Sequence, residues 1–307
     1  MVKKIVDRFE WTSEDLQRSR RYILGSFPEY KTQLVTTIGI LPSLRVVDIG
    51  CGTGAYSRVL AEAVQPNGCI IGIDVDSQLL TTARNETRTE GVRDPLDFTR
   101  GDAFRLPLRD NIVDVAFCHT VLWTLTNPIK ALKEMRRVVR NNGIVAAVEI
   151  DTDLFIYYDP SDRRYMELAI KEHAARIRGL QKLHGYNPRI GRELPELFRK
   201  AGLEAVTAHG RFFVDLSSDL RAHSLEKEIE FYRWQLDALT RCDVEAKGRL
   251  QRQKQVRLAG GMTKREFDEF RRKTVNRLRS IIKNPNRLLR DTSVTTWGGL
   301  IVKGRKP

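Results

Sequence analysis

The sequence predicts an α/β fold in which a mostly parallel sheet is doubly wound, with helices on both faces. Three observations indicate this fold. From Arg45 onward, short apolar runs alternate with helical stretches. One of these runs leads into a glycine-rich turn and then into a helix. Acidic residues recur where successive predicted strands end, and open α/β sheets bind their ligands at that edge.

Five buried strands and three connecting helices are predicted between residues 45 and 150. Right-handed crossovers of this length place consecutive strands in parallel. The predicted strands are Arg45–Ile49, Ile70–Asp74, Leu96–Arg100, Val113–His119 and Gly143–Ile150. The predicted helices are Ala55–Val64, Ser77–Thr89 and Pro128–Val139.

Helices predominate on either side of this stretch. Residues 12–39 are predicted to be helical, with Ser13 as a cap and a break near Gly25 and Pro28. After Asp151 the strand–helix alternation is predicted to stop. The later predicted elements are helices at 160–184, 192–201, 218–240 and 263–283, and strands at Ala205–Leu216 and Ser293–Lys303.

The composition is that of a globular protein, with 307 residues, 41% of them hydrophobic and 30% charged. No run reaches the ~18 apolar residues that cross a bilayer. The N-terminal residues show no apolar signal core, so we expect a cytoplasmic protein. The four cysteines have no paired spacing, and the sequence therefore indicates neither a zinc site nor disulfides.

The net charge of +14 is concentrated near the C-terminus, because residues 241–307 hold 19 basic residues against six acidic ones. Residues 247–290 include an amphipathic helix predicted at 263–283. A basic helix of this kind packs on a core with its charged face outward, or binds an anionic membrane or the phosphate backbone of RNA. The sequence leaves these alternatives open.

The residues that indicate chemistry follow the first predicted strand. Gly50, Gly52 and Gly54 permit positive φ angles and let a ligand approach the backbone closely. The helix after them directs its N–H groups toward that ligand. Gly50, Gly52 and Ala55 also satisfy the dinucleotide-binding pattern, with Asp74 where a ribose-binding acid belongs. The turn alone therefore leaves nicotinamide or flavin binding open.

Further features favour a cationic ligand instead. Asp48 lies two residues before the first glycine. A carboxylate there would attract a positively charged group of the ligand, whereas it would not stabilise a negatively charged pyrophosphate. Asp102 follows the third strand, and the fourth strand ends in Cys118 and His119. A turn at residues 141–143 precedes the fifth strand.

Together these features resemble the class I S-adenosylmethionine-dependent methyltransferases, and more narrowly the small-molecule branch that includes ubiquinone and menaquinone C-methyltransferases. The resemblance covers about residues 40–152, although the chain departs from the Leu-Lys-Pro-Gly-Gly turn that the family often shows. It implies a Rossmann-like, seven-stranded sheet with an antiparallel last strand, and S-adenosylmethionine as cofactor. Residues 1–40 would form a helical cap on a methyltransferase domain at 41–307. Residues 217–290 would be a basic helical insertion that covers the active site or supports a homodimer.

The resemblance also implies roles for individual residues. Those that would hold the methionine part of the cofactor are Asp48, Gly50, Cys51, Gly52 and Gly54. Those that would contact ribose and adenine are Asp74, Val75, Asp102 and Ala103. Cys118 and His119 would face the sulfonium and the substrate.

His119 is the predicted catalytic base, needed only if the acceptor arrives protonated. The other candidates are Glu149, Asp151 and Asp153. Three carboxylates at that spacing could also bind a metal, but nothing else completes such a site, so no metal is predicted. The predicted walls of the substrate pocket are Trp123, Tyr157, Tyr158 and Tyr22, with Tyr30 beside Tyr22.

The predicted function is in-line transfer of a methyl group from the sulfonium to a small or lipid-like molecule. The alternative is an RNA or other nucleic-acid methyltransferase that uses the basic C-terminal segment. Against it, the turn after Cys118 is not of the Asn/Asp-Pro-Pro-Tyr type that holds a flipped base. A non-catalytic cofactor-binding protein and a dehydrogenase also remain open at this point.

Overall fold

The computed structural model describes residues 23–25, 28–91, 96–216 and 225–307. The predicted pocket residue Tyr22, the predicted cap Ser13 and most of the first half of the helix predicted at 12–39 lie outside the described residues. The second half contains a helix at Pro28–Ile38.

Seven strands of the described residues form one sheet. They are β1 Arg45–Ile49, β2 Cys69–Asp74, β3 Leu96–Arg100, β4 Val113–His119, β5 Val139–Tyr158, β6 Glu204–Leu216 and β7 Val294–Arg305. Their order is β3-β2-β1-β4-β5-β7-β6, with β7 antiparallel to its neighbours. This confirms the predicted fold class.

The first five strands are parallel, and their register aligns their carboxyl ends. Ile49 of β1 lies opposite Ile73 of β2 on one side and Cys118 of β4 on the other. Asp74 of β2 lies opposite Arg100 of β3. All residues of β4 are buried, as expected for a parallel strand covered on both faces. The residues that follow these strands therefore meet at one edge of the sheet.

The helices are α1 Pro28–Ile38, α2 Ala55–Ala63, α3 Ser77–Thr89, α4 Pro128–Val138, α5 Arg163–His184, α6 Ile190–Lys200, α7 Leu225–Thr240, α8 Val244–Ala259 and α9 Lys264–Lys283. Local sequence explains where several begin. The Asp76 carboxylate caps α3, and Thr263 with Glu266 forms a capping box at the start of α9. Within the described residues, no helix combines the length and apolarity needed to span a bilayer.

The structure departs from the prediction in two places in the later part of the chain. The fifth strand was predicted at Gly143–Ile150 after a turn at 141–143, yet β5 runs from Val139 to Tyr158. Its polar residues there are tolerated because β7 lies beside it, with the Thr296 hydroxyl donating to the Leu154 carbonyl at 3.2 Å. Helix α8 was not predicted at all, because its sequence is dominated by arginine, lysine and glutamine and lacks an apolar stripe.

The described residues form two compact units. The sheet unit consists of the described residues through Asp151, together with Asn187–Arg211 and Gly299–Pro307. The helical unit consists of Thr152–Tyr186 and the described residues from Phe212 to Gly298. The predicted helical cap at 1–40 and the predicted insertion at 217–290 remain predictions as domain boundaries.

Within the helical unit, α5 and α8 approach so closely that only glycine fits at their contact. A Cβ on Gly179 would lie 1.9 Å from the carbonyl oxygen of Val256. Buried ion pairs add to this packing, since the Arg257 guanidinium donates to Glu172 at 2.7 Å. The helices of this unit are therefore tied together by both backbone contact and charge.

Candidate active site

The glycine-rich turn between β1 and α2 is anchored to the end of β2 by backbone hydrogen bonds. The N–H groups of Gly50 and Cys51 donate to the carbonyl oxygen of Ile73 at 2.7 and 3.1 Å. Gly50, Gly52 and Gly54 have φ angles of 69°, 57° and 74°. Such angles favour glycine, so the turn requires the residue pattern from which it was predicted.

The three glycines differ in what surrounds them. A Cβ on Gly50 would lie 2.4 Å from Val121 Cγ2, and one on Gly54 would lie 2.7 Å from Phe98 Cζ. A Cβ on Gly52 would meet no atom within 4 Å. Gly52 therefore borders open space beside the start of α2, where the first N–H groups of the helix have no intrahelical partner.

Polar side chains support the turn from beneath. The Asp48 carboxylate is 1% exposed and accepts a hydrogen bond from the Ser57 hydroxyl at 2.6 Å. The buried Arg58 guanidinium donates to the Thr53 carbonyl at 2.9 Å. These bonds fix the backbone of the turn to α2. A direct contact between Asp48 and a ligand remains a prediction.

The Asp74 carboxylate closes the turn from the end of β2. Its Oδ2 accepts from the Gly52 N–H at 2.9 Å, and its Oδ1 accepts from the Asp76 N–H at 2.9 Å. Burial raises the pKa of Asp74, while these backbone donors oppose that rise. A carboxylate oxygen can accept two hydrogen bonds, so the group keeps acceptor capacity for a hydroxyl of a ligand.

Val75, Asp102 and Ala103 lie at the same edge. Val75 is half-buried, and its carbonyl accepts from Arg100 Nε at 3.1 Å. Asp102 is exposed at the end of β3, where its Oδ1 accepts from the Phe104 N–H at 2.8 Å. The structure thus places these three residues at the carboxyl ends of neighbouring strands. Their predicted contacts with adenosine remain predictions.

Both cysteines of the predicted site are buried thiols. Burial, helped by the nearby Glu149 and Asp48 carboxylates, raises the pKa of Cys118 well above its ordinary value. Burial likewise raises the pKa of Cys51, with Asp48 and Asp74 adding to the effect. Because the thiolate is the reactive form, neither side chain is suited to act as a nucleophile.

His119, at the end of β4, lies in a buried polar cluster. Its Nε2 is 2.8 Å from the Tyr30 hydroxyl and 3.1 Å from an Arg211 guanidinium nitrogen. Arg211 also donates to the Tyr30 hydroxyl. The His119 ring stacks on Tyr56, with 3.8 Å between ring centroids. We call Tyr30, His119 and Arg211 the strand-end cluster.

The hydrogen bonds assign the His119 tautomer. A guanidinium can only donate, so Nε2 accepts and carries no proton. The proton of the neutral ring then lies on Nδ1, which is 3.3 Å from the Thr120 hydroxyl. His119 therefore presents Nε2 to Tyr30 and Arg211 as a hydrogen-bond acceptor.

Glu149, an alternative base, instead caps the turn that follows β4. Its Oε1 accepts from the N–H groups of Val121 and Leu122 at 2.8 and 2.6 Å, and its Oε2 is buried without a hydrogen-bond partner. Burial raises the pKa of Glu149 to about 8. This carboxyl group is fully buried, so its evident role is to fix the turn that carries Trp123.

The other candidate carboxylates differ from Glu149. Asp151 forms a two-pronged ion pair with Arg192, at 2.5 and 2.7 Å, and Asp153 is exposed. Arg192 therefore neutralises Asp151. Among the residues that the structure describes, no group of three or more His, Cys, Asp or Glu side chains is placed to hold a metal ion.

The predicted pocket aromatics fall in both units. Trp123 lies in the sheet unit, 9% exposed, with its indole N–H donating to the Thr120 carbonyl at 3.1 Å. Tyr157 and Tyr158 lie in the helical unit. Tyr157 donates to Asp159 at 3.3 Å, and Tyr158 is 52% exposed. Their role as substrate walls remains a prediction.

Arg211 was missed by sequence reasoning. It lies on β6 in a segment with no motif, 92 positions from His119 along the chain. The one available signal was an isolated arginine within an alternating strand, next to the apolar Phe212 and Phe213. Only the folded sheet brings its guanidinium to the end of β4.

Comparison with known proteins identifies the family. A family model for the methyltransferase domain matches residues 47–147. The demethylmenaquinone methyltransferase of Lactococcus lactis is 27% identical over 66% of this chain and 83% of its own length. The ubiquinone/menaquinone biosynthesis C-methyltransferase of Ectopseudomonas mendocina is 30% identical over 59% of this chain and 73% of its own length. The chain spans about half, 48% and 53%, of two further curated relatives, both uncharacterised.

Solved structures share the fold at low sequence identity. The YcgJ protein of Bacillus subtilis has a TM-score of 0.53 and 18% identity, covering 91% of this chain and 99% of its own. Phosphoethanolamine N-methyltransferase 2 of Haemonchus contortus, solved with S-adenosyl-L-methionine, has a TM-score of 0.53 and 15% identity, covering 99% of this chain and 59% of its own.

Fold and turn together define a Rossmann-like methyltransferase. The chain belongs to the class I S-adenosylmethionine-dependent methyltransferases, a family of enzymes with S-adenosylmethionine as cofactor, in the branch similar to ubiquinone and menaquinone C-methyltransferases. The residues fit that cofactor, because Gly52 borders open space and Asp74 keeps acceptor capacity beside it.

Proposed function

We propose that this chain transfers a methyl group from S-adenosylmethionine to a small or lipid-like molecule whose acceptor is an ionisable hydroxyl or its conjugated ring. The observation that carries the proposal is the strand-end cluster, with Arg211 and Tyr30 as donors beside His119. It lies at the carboxyl edge of the sheet, the edge that holds the glycine turn. The named quinone methyltransferases among the relatives support this class of substrate.

The donor side of the site would be formed by the turn and the strand ends. Gly52 would lie against the cofactor, and Asp74 would accept its ribose hydroxyls. The turn would be shaped by Asp48, Gly50, Cys51 and Gly54. The adenine would be bordered by Val75, Asp102 and Ala103, and the buried Cys118 would lie at the end of β4 next to the site. When bound, S-adenosylmethionine supplies a methyl group on a positively charged sulfur, whose leaving group departs neutral and needs no acid.

The acceptor side would be governed by the strand-end cluster. Arg211 is a permanent cation, so it lowers the cost of negative charge on an acceptor oxygen nearby. Tyr30 can donate to the same oxygen, and Nε2 of His119 is the atom that would accept a proton from it. Ionising a phenol makes both its oxygen and its ring carbons more nucleophilic. The residues thus prepare the acceptor by electrostatics and position.

The predicted alternative, an RNA or other nucleic-acid methyltransferase, has no such support. Neither the comparisons nor the described residues point to nucleic acid. The anionic membrane or RNA partner predicted for residues 247–290 and the predicted homodimer remain predictions.

The test is a methyl-transfer screen with methyl-labelled S-adenosylmethionine and a panel of quinols, phenols, amines and RNA. We expect label in a quinol or phenol, with transfer lost on substitution of Arg211 by glutamine. Label confined to RNA, or to amines without any hydroxyl, would contradict the proposed acceptor class. The wild-type cofactor affinity, measured separately, distinguishes a wrong acceptor from a protein that does not bind the donor.

A further inference from the structure

The helical unit contains a cavity of about 740 Å³ that no part of the proposed methyl transfer uses. It is bordered by the start of α5, the second half of α9 and the 3₁₀ turn at Pro285–Arg290. This volume falls within the range of small-molecule sites. The cavity is lined by polar side chains, with Tyr165 and Ile281 as its apolar surface.

Four of the six charged residues that line the cavity are already paired with one another. The Lys273 ammonium donates to Asp162 at 2.8 Å. The Arg277 guanidinium donates to Asp159 and to Asp291, each at 2.6 Å. Although burial opposes it, the Ser161 hydroxyl and Arg277 hold the pKa of Asp159 below its usual value. These acids are therefore each paired with a cation of the helical unit.

Arg287 and Arg290 are different, since neither has a carboxylate partner among the described residues. Arg287 donates to the Ser280 hydroxyl and forms no ion pair there, and Arg290 is exposed without a hydrogen bond to the described part of the chain. Both line the cavity. No carboxylate in the described part of the chain pairs with either of these positive charges.

The 3₁₀ turn explains why these two arginines face the same space. In a 3₁₀ helix the side chains at positions i and i+3 are eclipsed, because one turn takes three residues. Asn284, Arg287 and Arg290 follow that spacing, and all three line the cavity. The guanidinium groups of Arg287 and Arg290 and the amide of Asn284 thus line one side of the cavity. The Ser280 hydroxyl lines it from α9.

We propose that this cavity binds the phosphate group of a phosphorylated small molecule or lipid headgroup. Two unpaired guanidinium groups match a doubly charged group with several acceptor oxygens, and planar forks bind phosphate in two-pronged fashion. A single carboxylate would leave one of the arginines without a partner. The remaining volume, with Tyr165 and Ile281, accommodates the organic part of the ligand.

The test is calorimetric titration of the full chain in 150 mM salt with glycerol 3-phosphate, and with phosphatidylcholine vesicles that do or do not contain phosphatidic acid. The cavity variant is Arg287→Gln with Arg290→Gln. The matched control is Lys264→Gln with Arg265→Gln, because both are exposed on the same helical unit and neither lines the cavity. An Arg287→Lys, Arg290→Lys variant keeps the positive charge but loses the planar guanidinium groups that can donate two parallel hydrogen bonds.

We expect the wild type and the control to bind a phosphate probe and the cavity variant to bind at least tenfold more weakly, with the lysine variant between them. If the cavity variant loses affinity for both glycerol 3-phosphate and phosphatidic acid vesicles, the ligand is a free phosphorylated molecule. If only the affinity for the vesicles is lost, the ligand is a lipid headgroup. The proposal is overturned if the wild type binds neither probe, or if the control loses as much affinity as the cavity variant. Affinity for S-adenosylmethionine, measured in the same samples, is expected to stay unchanged in all variants.

Discussion

The sheet unit and the helical unit treat their buried charges differently. At the carboxyl edge of the sheet, Asp74 and Glu149 are held by backbone N–H groups. In the helical unit the buried Arg257 is held by the carboxylate of Glu172. A carboxyl group bound to backbone donors, such as Asp74, keeps spare lone pairs for a ligand. A carboxylate bound to an arginine mainly joins two helices.

The contrast teaches where each unit can do chemistry. At the opposite edge of the sheet, Asp114 pairs with Arg140, and no ligand role follows from it. Among the charged residues that line the cavity of the helical unit, only the arginines of the 3₁₀ turn have no carboxylate partner in the described residues. A ligand site is therefore expected where charged or acceptor groups are left without an ion-pair partner.

The largest expected effect concerns the strand-end cluster. Arg211→Gln removes the cation beside His119 and Tyr30, and turnover should fall about 100-fold or more, as for loss of a charge-stabilising donor. Affinity for S-adenosylmethionine should change less than threefold, because the turn is untouched. Steady-state kinetics and calorimetry check both. Tyr30→Phe, a milder change, should lower turnover as well; normal turnover in both variants would remove the cluster from the mechanism.

The next effect concerns the stability of the helical unit. Gly179→Ala should lower the free energy of unfolding by about 1–3 kcal/mol, because the added Cβ would overlap the Val256 carbonyl. Gly248→Ala is the matched control within α8, where the new methyl meets only the tip of Arg252 at 3.5 Å. There we expect a gain of up to about 1 kcal/mol from helix propensity. Equal effects in urea unfolding would contradict the tight α5–α8 contact.

A smaller effect separates a ligand site from backbone strain. Gly52 and Gly91 have similar φ angles, 57° and 69°, and a Cβ at either meets nothing within 4 Å. Gly52→Ala and Gly91→Ala should therefore cost similar stability, about 1–2 kcal/mol each. Only Gly52→Ala should weaken cofactor binding, by tenfold or more. If calorimetry shows the same affinity for both variants, Gly52 does not border the cofactor.

The last effect is an opposite pH dependence in the two units. Burial raises the pKa of Glu149 from 4.5 to about 8, so the folded state keeps a proton that the unfolded state loses, and stability falls as pH rises through that window. Burial lowers the pKa of His173 from 6.5 to about 4, so stability falls as pH decreases through that window.

Substitution of Glu149 or of His173 by glutamine removes the titratable group. Glu149→Gln should gain stability relative to the wild type as pH rises from 4.5 to about 8, and His173→Gln should gain it as pH falls from 6.5 to about 4. Urea unfolding at several pH values measures these differences. Parallel pH profiles for wild type and variant would show that the group does not titrate as inferred.

The sequence predicted the sheet unit well because its signals are local. The bounds of β1, β3, β4 and α3 agree with the prediction, since each is a short apolar or capped segment with a clear start and end. Helix α8 was not predicted because buried arginines, such as Arg249 and Arg257, take the place of an apolar stripe. From sequence alone, a buried arginine cannot be distinguished from a surface arginine, because its partner is not known.

The candidate site divides in the same way. Asp74 and the glycine turn were predictable because they occur at fixed spacing next to a strand. Arg211 was not, because it reaches His119 only through the fold of the sheet. Glu149 was named as a base, but its role in holding the turn after β4 depends on two backbone donors that spacing does not reveal.

Calorimetric titration of the wild type and of Asp74→Asn with S-adenosylmethionine and with NAD tests the central claim most directly. The account predicts that the wild type binds S-adenosylmethionine and not NAD, and that Asp74→Asn binds at least tenfold more weakly, about 1.4 kcal/mol, for a lost charged acceptor. Tight binding of NAD by the wild type, or unchanged affinity for S-adenosylmethionine in Asp74→Asn, would contradict it.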